Sequence, residues 1–123
     1  MRKIMWILFM MPGICLAGMN AGDLAAVASD VNKRTPMMVD NDTRLDKVDA
    51  KGGSKLVYNY TMVNYSYNQF DKKKFTNSFK GSLTKHTCSK LREFISQGVE
   101  IVYHYRSSDG KYLTQISVRK SDC

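Results

Sequence analysis

Two histidines sit where side-chain chemistry is possible. His86 lies two residues before Cys88, and an imidazole beside a thiolate can either share a metal with it or lower its pKa and make it a nucleophile. His104 is followed two residues later by Arg106. On a strand both would share one face, where an imidazole can act as acid or base near neutral pH. Each pair also has a plainer explanation. No second ligand pair at zinc spacing accompanies His86 and Cys88, and a disulfide would consume the thiol. A mid-strand histidine more often hydrogen-bonds on its sheet than catalyses. Four acidic residues, Asp40, Asp42, Asp46 and Asp49, crowd one stretch, but the segment lacks the glycine turn and distal Glu of a calcium loop, so turn chemistry and surface charge account for it. No nucleophile elbow, phosphate loop or dinucleotide fingerprint occurs. The sequence therefore predicts no cofactor and no metal. It favours a binding module over the alternative, a small hydrolase or thiol enzyme using His104 or His86 with Cys88.

Charge supports the same choice. The chain of 123 residues has 19 Lys and Arg against 11 Asp and Glu, a net +8. Five of the cations, Lys72, Lys73, Lys74, Lys80 and Lys85, fall in a stretch where Phe75, Phe79 and Leu83 recur four apart, which describes a half-buried helix with a basic outer side. In an exported protein that side is expected to meet an envelope component such as anionic lipid, acidic glycan or an acidic protein, and not nucleic acid. Charge serving only solubility is the competing reading.

Export follows from the first seventeen residues. Arg2 and Lys3 precede the apolar run Ile4 to Met11, then the Pro12-Gly13 break and Cys15-Leu16-Ala17, which are the three zones of a secretory signal peptide. The run is too short to span a membrane, which takes about 20 residues. Residues 1–17 are thus expected to be removed and 18–123 to form a single α+β domain, periplasmic or secreted, with no transmembrane segment. Ile14 before Cys15 makes a poor lipid-attachment box. With Cys15 gone, Cys88 and Cys123 remain as an even pair in an oxidising compartment and are expected to form a disulfide.

The elements that must position these residues are legible in the periodicity. Leu24, Val27, Ala28 and Val31 recur at helical spacing between Asp23 and Lys33, ahead of Pro36. The stretches Thr43 to Asp49 and Lys55 to Tyr65 flank Gly52-Gly53 as a hairpin. In the second arm Leu56, Tyr58, Tyr60 and Met62 share the core face, and Asn59 and Thr61 the other. After the basic helix, Ser89 can cap a short helix with Leu91, Phe94 and Ile95 inside and Gly98 as its terminator. Val99 to Arg106 and Lys111 to Lys120 then alternate around Asp109-Gly110. The order α-β-β-α-α-β-β, without βαβ alternation, predicts a four-stranded antiparallel sheet built from two hairpins with its helices on one face. The opposite face would show Asn59, Thr61, His104, Arg106 and either Gln115 or Ser117, a second candidate surface for a partner.

The segments Thr43–Val48 (TRLDKV), Val57–Tyr65 (VYNYTMVNY) and Gly98–Lys111 (GVEIVYHYRSSDGK), with Cys88 and the final Ser121-Asp122-Cys123, resemble small uncharacterised secreted or periplasmic proteins of Gram-negative bacteria, and more loosely quorum-sensing-regulated virulence-factor-like proteins. The resemblance implies export and brings no catalytic residues with it.

Overall fold

The computed structural model describes residues 21–123. The expected signal peptide, its cleavage point and Cys15 lie outside the described residues. Helix α1 (Ala21–Asn32) is followed by a two-residue strand β1 (Met37–Met38), the hairpin β2 (Thr43–Lys51) and β3 (Lys55–Met62), a long helix α2 (Lys72–Lys90), a short helix α3 (Arg92–Ser96), and the hairpin β4 (Glu100–Ser107) and β5 (Tyr112–Val118). Single turns of 3-10 helix, Tyr67–Gln69 and Lys120–Asp122, precede α2 and follow β5.

Local sequence explains these elements. Leu24, Val27, Ala28 and Val31 form the buried stripe of α1, which lies on β2. The two hairpin turns carry Gly52 at φ +60° and Gly110 at φ +83°, backbone geometry that a side chain makes unfavourable. Asp71 caps α2 by accepting from the Lys74 amide at 3.0 Å, satisfying a donor that the first helical turn leaves free. The helix continues through Ser89 to Lys90, so Ser89 is an interior residue and not the cap of a separate helix. Leu91 is the corner between α2 and α3, its amide bonded to the Thr87 carbonyl at 2.9 Å.

The sheet corrects the expected topology. It has five strands in the order β1-β2-β3-β4-β5, not four, because Met37 and Met38, read as connector, pair with Leu45 and Arg44. It is also mixed. β3 and β4 run parallel, with Tyr58 opposite Tyr103 and Thr61 opposite Arg106, while the other three pairs are antiparallel. The chain between β3 and β4 is long enough, with α2 and α3 inside it, to return to the end where β3 began, which parallel pairing requires. The two hairpins therefore meet at their inner strands through a helical crossover.

The helices lie against one face. Leu45, Val48, Leu56, Tyr58, Met62, Ile101, Tyr103, Tyr105, Ile116 and Val118 meet the α1 stripe and Leu91, Phe94 and Ile95 in one core. Tyr58, Tyr60, Tyr103 and Tyr105 form a ring ladder across β3 and β4, with centroids 5.1–6.4 Å apart, spacing at which offset aromatic rings attract. Phe75 joins the ladder edge-on at Tyr105, 5.0 Å away.

Candidate functional site

Helix α2 is held along a narrow line. Of its nineteen residues only Thr87 is buried, and Phe75 and Leu83 are partly buried against the core. Two hydroxyl contacts fix it to the sheet: Thr76 to Thr114 at 2.8 Å and Thr87 to Tyr103 at 2.7 Å. Phe79, expected on the inner stripe, is 40% exposed. Its ring packs on Phe75, 4.2 Å between centroids, so it extends the aromatic cluster outward instead of entering the core.

The five candidate lysines of α2, Lys72, Lys73, Lys74, Lys80 and Lys85, are exposed, but they do not form a single patch. Lys80 and Lys85, with Asn77, Gly81, Thr84 and Ser89, line an open groove of about 780 Å³ on the outer side of the helix. Its far wall is Asp122 and Cys123. The Cys88–Cys123 disulfide, with Cα atoms 5.7 Å apart, ties that C-terminal turn to the helix. Asp122 is engaged within its own turn, accepting from the Arg119 amide at 2.8 Å. Lys73 and Lys74 border a second hollow of about 410 Å³ with Asp71 and Ser78, and Asn77 is shared with the groove. Lys72 turns the other way, its ammonium 5.4 Å from the centre of the Tyr112 ring on β5.

The helix-free side of the sheet is more closed than its polar sequence predicts. Asn59 and Thr61 are buried because carboxylates of β2 take up their donors: Thr61 Oγ1 donates to Asp46, and Asn59 Nδ2 to Asp49 at 3.0 Å. Asp46 also accepts from Arg44 Nε at 2.6 Å. His104 and Arg106 are half-buried, Ser117 likewise, and Gln115 is exposed. The imidazole of His104 stacks on Tyr112 with centroids 5.2 Å apart. Burial, and then the Arg106 charge, lower its pKa below the ordinary histidine value, so it is neutral at pH 7. His86 is lowered too, by burial and then by Lys90.

The Cys88 sulfur is bonded to Cys123. Among the described residues, no three His, Cys, Asp or Glu side chains converge as a metal site would require, and no helix is long and apolar enough to cross a membrane. Sequence reasoning missed Tyr112 beside His104 and the groove formed with the C-terminal turn. Both depend on pairings that spacing does not encode.

This is a small α+β domain with one sheet and helices on one face, and solved proteins share that architecture. No protein-family model matches the chain, and no curated protein matches its sequence. It is similar in structure to a candidate secreted protein of Pseudomonas aeruginosa (TM-score 0.71, 15% identity, covering 84% of this chain and 91% of that one). It is similar as well to the pilotin EpsS of the Vibrio vulnificus type 2 secretion system (TM-score 0.66, 10% identity, 84% and 90% covered) and to the type II secretion system pilotin AspS of Vibrio cholerae (TM-score 0.62, 16% identity, 84% and 91% covered). At such identities the likeness is one of fold.

Proposed function

We propose that this chain is an exported, non-catalytic binding module of the cell envelope, and that the lysine-bearing outer side of α2 holds an anionic envelope surface. One observation carries the reading: a nineteen-residue helix buries only Thr87 and presents Lys73, Lys74, Lys80 and Lys85 around two hollows that meet at Asn77. Lysines placed this way do nothing for the core. Near a negatively charged leaflet each contributes on the order of 1 kcal/mol of attraction. The fold shared with a candidate secreted protein and two type II secretion pilotins supports an envelope setting and a binding role. Sedimentation with phosphatidylglycerol vesicles over a salt series tests it. Binding should be retained at low ionic strength and fall as salt screens the lysines, whereas no sedimentation even at low salt would remove the proposal.

A further inference from the structure

On the helix-free face most cations are already matched. Arg44 pairs with Asp46, Lys47 with Asp49 at 3.7 Å, and Lys55 and Arg119 both with Glu100 at 3.9 and 3.5 Å. Arg106 differs. Among the described residues it has no ion pair, and its Nε is sealed from water without a hydrogen-bond acceptor. Its neighbour on the same face, His104, likewise has Nδ1 sealed and unbonded. Between Tyr105 and Arg106 the strand register skips Leu113, which brings Tyr112 opposite Arg106. Tyr112 is 49% exposed, stacked on His104 and overhung by the Lys72 ammonium.

We propose that Arg106, with Tyr112, His104 and Lys72 around it, is a docking point for a carboxylate side chain on an acidic segment of a protein partner. A guanidinium satisfies a carboxylate with two parallel hydrogen bonds. A carboxylate arriving side-on would accept from Nε and a terminal nitrogen of Arg106, after a rotamer shift of the side chains that now seal Nε. Lys72 adds a second positive charge, while the face's own carboxylates are engaged with other cations. The half-exposed Tyr112 ring on its His104 backing supplies the aromatic contact that commonly anchors a protein interface. The form of the surface selects the occupant. The hollows described above lie on α2, whereas Arg106 lies on a sheet face from which the half-exposed Tyr112 ring stands out, which suits a protein segment better than an enclosed small molecule. This site is separate from the lysine surface of α2, and either can fail without the other.

The test uses a fluorescein-labelled ten-residue Glu-rich peptide and its all-Gln analogue, titrated with the oxidised protein at low salt. The Glu peptide should bind and the Gln analogue should not. Arg106→Gln should weaken Glu-peptide binding by roughly tenfold or more, since a hydrogen bond to a charged group is worth about that factor. Arg106→Lys should restore only part, and Lys73→Glu with Lys80→Glu should leave a larger fraction of binding than Arg106→Gln does. In the wild type, the Arg106 Nε–H resonance should shift on addition of the Glu peptide, a readout that needs no variant to fold. Equal binding by Arg106→Gln, equal binding of both peptides, or an unmoved Arg106 resonance would overturn the proposal. So would loss of vesicle binding in Arg106→Gln with peptide binding intact, which would make the ligand a lipid headgroup.

Discussion

Asn32, the last residue of α1, holds both backbone polar groups of Val48 on β2: its Nδ2 donates to the Val48 carbonyl and its Oδ1 accepts from the Val48 amide, each at 2.8 Å. Strand β1 covers β2 only at Arg44 and Leu45. Beyond that short cover the side-chain amide takes the place of a neighbouring strand, closing part of an edge that would otherwise present free backbone groups.

Asn32→Ala should therefore lower stability by about 2 kcal/mol, since it strips partners from a partly buried N–H and C=O together. Urea denaturation monitored by circular dichroism measures this. A midpoint indistinguishable from wild type would mean that water replaces the amide without loss.

Thr87 allows a proton to be placed. Its hydroxyl donates to the Leu83 carbonyl at 2.7 Å, so its single proton is used there, and Tyr103 must be the donor in the 2.7 Å contact between them. Thr87→Val should leave the Tyr103 hydroxyl buried without an acceptor and cost about 1–3 kcal/mol. Adding Tyr103→Phe should recover part of that loss, because the orphaned donor is removed as well. A double variant less stable than Thr87→Val alone would contradict this assignment.

Much of this architecture is legible in the sequence, for physical reasons that also mark where legibility ends. Alternation around Gly52 and Asp109-Gly110 fixes the hairpins, because period-two burial and positive-φ glycines are local properties. Strand direction is not local: Tyr58 facing Tyr103 in parallel depends on where the crossover through α2 and α3 returns the chain. The burial of Asn59 and Thr61 was hidden because it rests on Asp49 and Asp46 of the adjacent strand. The five lysines are plain in the sequence. That Lys72 turns to Tyr112 while Lys80 and Lys85 face Cys123 depends on how the helix and the C-terminal turn are placed.

Alkali should unfold the protein through its tyrosine ladder. Burial raises Tyr58 and Tyr60 well above the usual phenol value, pushes Tyr103 up to about 12 and raises Tyr105 further. The folded chain then keeps protons that the unfolded chain releases above a pKa of about 10. The stabilisation is complete below that pH and is lost as pH rises toward about 12. Tyrosinate absorbance at 295 nm should show a cooperative step coinciding with loss of circular dichroism. Ionisation of all tyrosines with the fold intact would refute the ladder's burial.

Cys88→Ala should lose roughly 3–4 kcal/mol, from the entropy of the 35-position loop that the disulfide closes in the unfolded chain. Thermal melts of the variant and of oxidised wild type, each with and without reductant, give the comparison. Reductant should lower only the wild type, and a variant as stable as the oxidised protein would be the contrary result.

The central claim, that the outer side of α2 is the working surface, is tested most directly by reversing Lys73, Lys74, Lys80 and Lys85 to Glu together while keeping Lys72, whose ammonium overhangs Tyr112. The four are exposed, and exposed charges contribute at most about 1 kcal/mol each, so the variant should remain folded. In sedimentation with phosphatidylglycerol vesicles, the wild type should pellet at low salt and release by about 0.15 M, where the screening length is about 8 Å, and the variant should stay in the supernatant throughout. A folded variant that pellets with the vesicles as the wild type does would show that the lysines only keep the protein in solution.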